Sequence, residues 1–297
     1  MRISVSLPYP DADPTAADVD GIVAFAQAAE AAGLDAVAAT DHPFPATAPG
    51  RAGHQALDPF VLFGFLAQAT RTLKLHFNLI VVPYRNPFLT ARMVATLDHL
   101  SGGRAICAVG AGYLRPEFDA LGAEFAGRGE RLEDAVAAMR AAWTGEPVHG
   151  WGAAGNVMWP VPPPGRPPLW RGGNTRRAIA SAVAGFDGWA PFEASAETSR
   201  QTTTDVFSLD TLPAKLDLLR EAEAAAGRAP LDVCFVRPSP GWMKDRARAV
   251  DELRRLDALG VTWVTTHVLG RSTSERLDGI ETLRELVAEA GVNARSR

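Results

Sequence analysis

Residues 73–113, LKLHFNLIVVPYRNPFLTARMVATLDHLSGGRAICAVGAGY, decide the fold of this chain. The apolar, β-branched run over Lys74–Val82 predicts a strand that is buried on both faces and ends at a proline. Asn86 then suits the N-cap of a helix, because Pro87 stands at the first helical position, where its missing N–H costs nothing. A second strand follows over Ala105–Val109 and runs into a glycine-rich turn. Strand, helix and strand in this order predict a parallel crossover unit.

The helix of this unit carries large apolar side chains at a helical spacing. Leu89, Met93, Leu97 and Leu100 fall at positions i, i+4, i+8 and i+11. This spacing places all four on one side of the helix, so we expect that side to face the core. A pair of glycines follows and ends the helix, because glycine tolerates the left-handed backbone of a helix C-terminus.

The same alternation recurs along the chain, which shows eight predicted strands, each followed by a helix. This pattern predicts an α/β protein, an eight-fold (β/α) TIM barrel that residues 1–297 form as a single domain. An open doubly wound sheet is the competing architecture. Two stretches without a convincing period, 144–168 and 191–212, are interpreted as irregular loop insertions. Most of the longer connections begin at strand ends, so we expect the active site at the carboxyl-end rim.

Composition limits the classes of function. The net charge is −4 at pH 7, so no basic excess exists to meet phosphates, and we expect neither a nucleic-acid partner nor a membrane-surface role. The sequence shows no secretory signal and no apolar run of membrane-spanning length, which favours a cytoplasmic protein. Cys107 and Cys234 each lie inside a predicted strand and are interpreted as buried thiols, not as a disulfide.

The pair Asp41-His42 follows the second predicted strand directly. A carboxylate beside an imidazole at this end of a strand can hydrogen-bond a cofactor or move a proton near neutral pH. The alternative is ordinary loop polarity, with His42 in solvent and Asp41 capping a turn. The position at a strand end favours the functional interpretation, with His42 as the catalytic residue.

Two glycine-rich segments follow other strands. In the first, glycines let backbone N–H groups approach a ligand, although tight turns after strands also use glycine. The second segment favours an anion site, because it combines free N–H groups at a helix N-terminus, the helix dipole and arginines. A capped helix with solvated arginines is the alternative. The candidate residues of the two segments are Gly110, Ala111, Gly112, Gly172, Gly173, Asn174 and Arg176. Trp170 beside them could wall a pocket for a planar ring or pack in the core.

Other common sites leave no trace in the sequence. The histidines show no metal-ligand spacing, no G-x-S-x-G elbow is present, and the diglycine turns do not complete a dinucleotide fingerprint. We therefore expect no metal site. A metal-dependent barrel hydrolase stays an alternative that bound metal would reveal.

Several motifs together resemble the luciferase-like flavin and deazaflavin oxidoreductases. They are TDHP after the second strand, LxxLxxGRxxxxVGxGY over Leu97–Tyr113, EFDALG over Glu117–Gly122, GGNTRRA, and GFDGW over Gly185–Trp189. The resemblance covers nearly the whole chain, and within that superfamily it is strongest to coenzyme F-420-dependent oxidoreductases of actinobacterial type. It implies a barrel that holds a flavin or deazaflavin at its carboxyl-end rim.

The resemblance also implies roles for individual residues. Asp41 and His42 match residues that face the cofactor ring, and Leu79-Ile80 match a strand-three bulge, often with a non-prolyl cis peptide, that backs the ring. The first glycine segment matches backbone contacts to the ribityl–phosphate arm of the cofactor. The second matches another phosphate-side segment.

Two positions differ from the sugar-phosphate dehydrogenases of this family. Those enzymes carry a Glu directly after the strand-four glycine turn and a Trp a few residues past the His, where this chain has Tyr113 and Phe44-Pro45-Ala46. We therefore do not expect sugar-phosphate oxidation. Tyr113, Phe44 and Trp170 are our candidates for the substrate pocket.

The expected activity is hydride transfer between coenzyme F-420 and a small organic substrate, with His42 assisting. An FMN-dependent monooxygenase that uses O₂ is the first alternative. A non-catalytic flavin-binding barrel is the second, because a pocket does not prove turnover. The resemblance also implies a homodimer.

Overall fold

The computed structural model describes residues 1–8, 18–45, 56–164, 166–202 and 204–292. Its strands are β1 (Arg2–Ser6), β2 (Ala36–Ala39), β3 (Lys74–Val81), β4 (Ala105–Gly110), β5 (Val148–Gly150), β6 (Ala153–Asn156), β7 (Leu169–Gly172), β8 (Gly188–Ala190), β9 (Asp232–Arg237) and β10 (Trp263–Thr266). Its helices are α1 (Val19–Ala31), α2 (Pro59–Ala69), α3 (Pro87–Leu100), α4 (Arg115–Ala120), α5 (Arg128–Ala142), α6 (Arg176–Gly185), α7 (Ala196–Thr202), α8 (Leu212–Ala225), α9 (Arg246–Ala258) and α10 (Thr273–Ala290).

Eight parallel strands close into a barrel in the order β1-β10-β9-β8-β7-β4-β3-β2. Closure is visible at β1, where Ser4 pairs with Ala36 of β2 on one side and with Thr265 of β10 on the other. The predicted eight-fold α/β barrel is therefore confirmed, and the open doubly wound sheet is wrong. The crossover unit β3–α3–β4 also forms as predicted, with the Asn86 side chain accepting hydrogen bonds from two backbone N–H groups of α3.

The prediction for the buried side of α3 is confirmed for Leu97, which is 4 % exposed, but wrong for Leu89, Met93 and Leu100. Leu89 is 64 % exposed and Leu100 is 71 % exposed, whereas the helix buries a neighbouring side that includes Ala91, Val94 and Ala95. Both sides have a helical period, so periodicity alone could not choose between them. Small residues on the buried side let α3 lie close against the barrel, and Leu89 and Leu100 at the two ends of the helix stay outside.

Two hydrophobic clusters stabilise the barrel. The larger lies between the strands and the surrounding helices. The smaller fills the barrel interior and includes Ile106, Trp170, Cys234 and Trp263. His76 also lies in this interior, where burial lowers its pKa to about 3, so its ring is neutral at physiological pH.

The two segments interpreted as irregular insertions lie at opposite ends of the barrel. Segment 144–168 contains the antiparallel hairpin β5–β6, and because it joins α5 to the start of β7 it lies at the amino end. Segment 191–212 contains α7 and joins the carboxyl-end rim through the bridge between Phe192 and Val236 of β9, while the bridge between Ala194 and Phe207 lies within the segment. Most of the loop after β2, residues 46–55, lies outside the described residues. No helix in the described ranges has the length and apolar composition needed to cross a bilayer.

Candidate active site at the carboxyl-end rim

A cavity of about 330 Å³ opens at the carboxyl ends of the barrel strands. Strand ends and the connections that leave them form its wall, where parallel barrels place their ligand sites. The predicted residues that line it are Asp41, His42, Leu79, Gly110, Ala111, Gly112, Tyr113, Gly172, Gly173 and Asn174. Most of the residues singled out from the sequence therefore meet at one site.

His42 is paired with a buried carboxylate. Its Nδ1 lies 3.2 Å from Oε2 of Glu117, and the backbone N–H of Phe44 donates to Oε1 of the same carboxylate at 3.1 Å. The side chain of Glu117 is only 2 % exposed. A carboxylate can only accept a hydrogen bond, so the Nδ1–H group of His42 is the donor in this contact.

The short helix α4 positions Glu117. Pro116 fits its first turn, where a missing N–H costs nothing, and a carboxylate near the N-terminus is favoured by the helix dipole. Phe118 packs edge-on against Tyr84 and Phe125, at ring distances of 5.1 and 5.3 Å, which fixes the orientation of the helix. The connection after β4 thus carries the carboxylate that pairs with His42 to the rim.

Asp41 lines the cavity, and its carboxylate is held by two residues at the end of β3 and in the turn after it. It accepts a hydrogen bond from Val81 N at 3.0 Å and forms a bidentate ion pair with Arg85. Burial raises the pKa of Asp41, and the Asp41 carboxylate outweighs burial at Arg85 and raises the pKa of its guanidinium. Asp41 therefore anchors the end of β3 and the turn after it.

The bulge expected in β3 is present. The peptide bond between Asn78 and Leu79 is cis, and the pairing with β4 shifts register between Phe77 and Ile80. As a result Asn78 and Leu79 both face the cavity, while Ile80 turns outward into the core beneath the helices. Ile80 thus does not contact the site, because the bulge breaks the inside–outside alternation of the strand.

Two of the predicted glycines make room for Leu79. A Cβ at Gly110 would lie 2.6 Å from Leu79 Cδ1, and a Cβ at Gly172 would lie 2.5 Å from Leu79 Cδ2. Gly112 differs, since its φ of +75° is a conformation that glycine adopts without strain. Its carbonyl accepts a hydrogen bond from Arg128 Nε at 2.9 Å.

The N-terminus of α6 faces the cavity, but its polar side chains are partly occupied. Thr175 caps the helix, and the Asn174 amide bonds to both backbone groups of Phe192, which ties segment 191–212 to the rim. Arg171 lies beside Glu133, 3.3 Å away, and Arg176 is exposed and does not line the cavity. In this region a ligand could therefore bind to the backbone of residues 172–175 and to the side chain of Arg171.

Two of the three substrate-pocket candidates lie elsewhere. Trp170 is 1 % exposed and packs in the barrel interior against His76 and Trp263, two strand positions below the rim residue Gly172. Phe44 is 67 % exposed and does not line the cavity, although its N–H reaches Glu117. Tyr113 lines the cavity as expected and meets the His42 ring edge-on at 6.1 Å.

The sequence reasoning did not single out four polar residues of this site. They are Glu117, Arg128, Arg237 and His267. Glu117 and Arg128 belong to the long connection after β4. Since this connection was predicted to lie at the rim, its polar residues could have been predicted as part of the site. Burial lowers the pKa of His267 to about 4, which keeps this ring neutral at physiological pH. Within the described residues, no group of three or more His, Cys, Asp or Glu side chains could hold a metal ion.

The family model for luciferase-like monooxygenases matches residues 1–285. The chain belongs to the luciferase-like monooxygenase family. One relative of this family member is an uncharacterised protein of Mycobacterium tuberculosis, 30 % identical over 240 residues, which are 78 % of this chain and 77 % of the relative.

Solved structures show the same fold at low sequence identity. An F-420-dependent secondary alcohol dehydrogenase, in complex with an F-420–acetone adduct, has a TM-score of 0.77 and 18 % identity, covering 97 % of this chain and 98 % of that one. The oxygenating constituent of 3,6-diketocamphane monooxygenase from Pseudomonas putida, in complex with FMN, has a TM-score of 0.73 and 15 % identity over 97 % and 98 % of the two chains. The structural neighbours of this luciferase-like protein thus include both F-420- and FMN-binding enzymes.

Proposed function

We propose that this protein is an oxidoreductase that uses coenzyme F-420 for hydride transfer to or from a small organic substrate. The observation that carries the proposal is the His42–Glu117 pair on the wall of a rim cavity that also presents backbone turns and arginines. A proton acceptor beside a cofactor-sized cavity is the arrangement that hydride transfer to or from a C–OH or C=O group requires. When bound, the cofactor supplies the hydride chemistry itself.

The residues of the cavity fit a flat ring with an anionic arm. Leu79, Val81 and Val236 provide apolar surface, while the hydroxyl of Thr40 is buried without a hydrogen-bond partner among the described residues. Such an orphaned hydroxyl suits a ring edge that offers carbonyl or N–H groups. The N-terminus of α6 and the guanidinium of Arg128 favour a phosphate.

In this proposal His42 handles the proton that accompanies the hydride. In alcohol oxidation Nε2 accepts the hydroxyl proton, and in the reverse direction the imidazolium returns it to the forming hydroxyl. Glu117 holds Nδ1 and stabilises the charged ring. Tyr113 meets the His42 ring edge-on at 6.1 Å and lines the same cavity, so it borders the space where the substrate would lie.

The preference for F-420 over FMN rests on charge at the rim. F-420 carries a phosphodiester and an acidic tail beyond the ring, and the arginines Arg128, Arg171 and Arg177 lie on elements that border the cavity. Arg177 is 65 % exposed and lies 3.6 Å from Glu130, so it is accessible to a long ligand. An FMN-dependent monooxygenase is the second candidate, since an FMN-bound neighbour shares the fold.

Titration of the purified protein with F-420 and with FMN, followed by fluorescence, tests the cofactor. We expect saturable F-420 binding that weakens as salt rises, because exposed charges are screened over about 10 Å at 0.1 M salt. Tight FMN binding without measurable F-420 binding would instead support the monooxygenase. A bound cofactor that no substrate panel oxidises or reduces would support a non-catalytic barrel.

A homodimer completes the proposal, and the outer faces of α2 and α3 support it. Val61 and Phe65 of α2 are 74 % and 51 % exposed, beside the exposed leucines of α3. Adjacent exposed apolar side chains of this size are typical of a protein–protein interface. Sedimentation should give a dimer for the wild type and a monomer for Phe65→Glu, and a wild-type monomer would contradict this part.

A further inference from the structure

A second cavity, of about 540 Å³, opens at the opposite, amino end of the barrel. The first residues of the barrel strands form its wall, together with the end of segment 144–168. Trp170 and Trp263 line it from the barrel interior. The family activity at the carboxyl-end rim assigns no role to this cavity.

Three cations from separate parts of the chain meet in this cavity: Arg2, Lys74 and Arg166. Arg166 is 3.5 Å from Asp98, a distance at the limit of a hydrogen bond. Lys74 Nζ contacts only the carbonyl of Gly103, at 3.3 Å, and the Arg2 guanidinium lies over the Trp263 ring at 5.2 Å.

Arg166 is paired with Asp98, but the other two cations have no direct ion-pair partner in the described part of the chain. It places no carboxylate within 4.0 Å of the side-chain nitrogens of Arg2 or Lys74. Burial lowers the pKa of Lys74, and the nearby guanidinium groups of Arg166 and Arg2 lower it further, as expected for crowded like charges. An anion in the cavity would relieve this repulsion.

The two tryptophans provide an independent observation. Their indole Nε1–H groups are buried, and neither has a hydrogen-bond partner among the described residues. Trp170 is 1 % exposed and Trp263 is 3 % exposed, with their rings 5.4 Å apart. Unsatisfied buried donors are rare in folded proteins and often mark an ion or water that completes them. Indole can only donate, so the missing partner must be an acceptor.

The carboxylates of the wall do not supply this acceptor. Glu30 Oε1 accepts from the backbone N–H groups of residues 71–73, and Asp35 accepts from Ile3 N at 2.8 Å. Asp232 is the wall carboxylate for which the described residues show no hydrogen bond. The wall therefore holds three cations and three carboxylates. Backbone N–H groups occupy Glu30 and Asp35, and Asp232 is the carboxylate left facing the unsatisfied donors.

We propose that the amino-end cavity is a binding site for a small oxyanion, a phosphate or a carboxylate. Arg2, Lys74 and Arg166 supply the charge, and the indole edges of the two tryptophans close the inner end. The site lies at the opposite end of the barrel from His42 and stands independently of the proposed hydride transfer. Bidentate guanidinium contacts favour a planar or tetrahedral group with several oxygens.

Isothermal titration of the full-length protein with inorganic phosphate, and separately with succinate, tests the site. Whichever oxyanion binds, we expect Lys74→Gln to weaken it at least about tenfold, which corresponds to about 1.4 kcal/mol. Asp232→Asn should tighten it, because the opposing charge is removed. The two probes distinguish a phosphate site from a carboxylate site.

Arg284→Gln is the control, because it removes an exposed cation that lines neither cavity. Its affinity for the oxyanion should equal that of the wild type. Binding that survives Lys74→Gln, or that is lost in Arg284→Gln, would overturn the proposal, as would no binding of either probe. Asp232→Asn keeps the test valid if Lys74→Gln fails to fold, and unchanged affinity in it would count against the site.

Discussion

The pairing of His42 with Glu117 makes a sharp prediction for Glu117→Gln. At the 3.2 Å separation of Nδ1 and Oε2, a charged pair gains about 5 kcal/mol at an effective dielectric constant near 20. Desolvation offsets much of this, so a net contribution of about 1.5–3 kcal/mol is expected for a hydrogen bond to a charged group. A glutamine keeps the shape, but its amide offers one acceptor to two donors, His42 Nδ1–H and Phe44 N–H.

We therefore expect Glu117→Gln to lower kcat by roughly ten- to a hundredfold, part of the 10²–10⁴ that general acid–base catalysis contributes. Affinity for the cofactor should change little, because the carboxylate points at His42. The assay is the pH profile of kcat with an activated enone or quinone as generic acceptor, together with a cofactor titration by fluorescence.

Asp119→Asn is the matched control. It removes the same charge from the same short helix, but Asp119 is exposed and does not line the cavity. Its kcat and pH profile should equal those of the wild type. If Glu117→Gln keeps wild-type kcat at every pH, or lowers only cofactor affinity, Glu117 shapes the cavity and does not orient a proton carrier.

Three further predictions concern other parts of the fold. Gly112→Ala should lower the free energy of unfolding in urea more than Gly122→Ala, because both have positive φ but only the first brings a Cβ to 2.5 Å from Val81 Cγ1; equal losses would refute the clash. Arg128→Gln should weaken F-420 binding and make the affinity less dependent on salt. Arg177→Gln, at an exposed site, should have the smaller effect on affinity. A larger effect of Arg177→Gln would indicate that the anionic arm of the cofactor does not lie beside Gly112. Burial acts to raise the pKa of Glu30, but backbone N–H donors outweigh it and lower that pKa to about 2. The stability that this lowered pKa contributes is present above pH 4.5 and is lost as the pH falls toward 2. In urea unfolding, Glu30→Gln should therefore lower the free energy of unfolding by about 1–2 kcal/mol at pH 7, allowing for solvent screening, and by less at pH 3. An equal loss at both pH values would refute this contribution of Glu30.

The barrel could be predicted because its signals are local. Each strand is a short apolar run, each helix has its own caps, and their alternation admits few topologies. The side of α3 that is buried is not a local property. Leu89 and Ala91 belong to two apolar faces of one helix, and the close approach of the barrel decides between them.

Side-chain direction at the rim was harder to predict than position along the chain. Leu79 and Ile80 were both assigned to the site, but the bulge sends Leu79 inward and Ile80 outward. Trp170 follows the inward alternation of β7, yet it stops below the rim and lines the amino-end cavity instead. A motif at the end of a strand therefore places a residue at the carboxyl-end rim only if that residue is the last one of the strand or follows it.

The partner of His42 shows why adjacency misleads. Asp41 is its neighbour in sequence, but consecutive residues leaving a strand point to opposite sides, and Asp41 turns toward Arg85. The carboxylate that reaches His42 comes from 75 residues further along, on a helix that follows another strand. Because parallel strands bring their carboxyl ends to one rim, an acidic residue in any long rim connection is a candidate partner for a rim histidine. The search for a proton-carrying pair in a barrel sequence should therefore compare connections with one another before it compares neighbours.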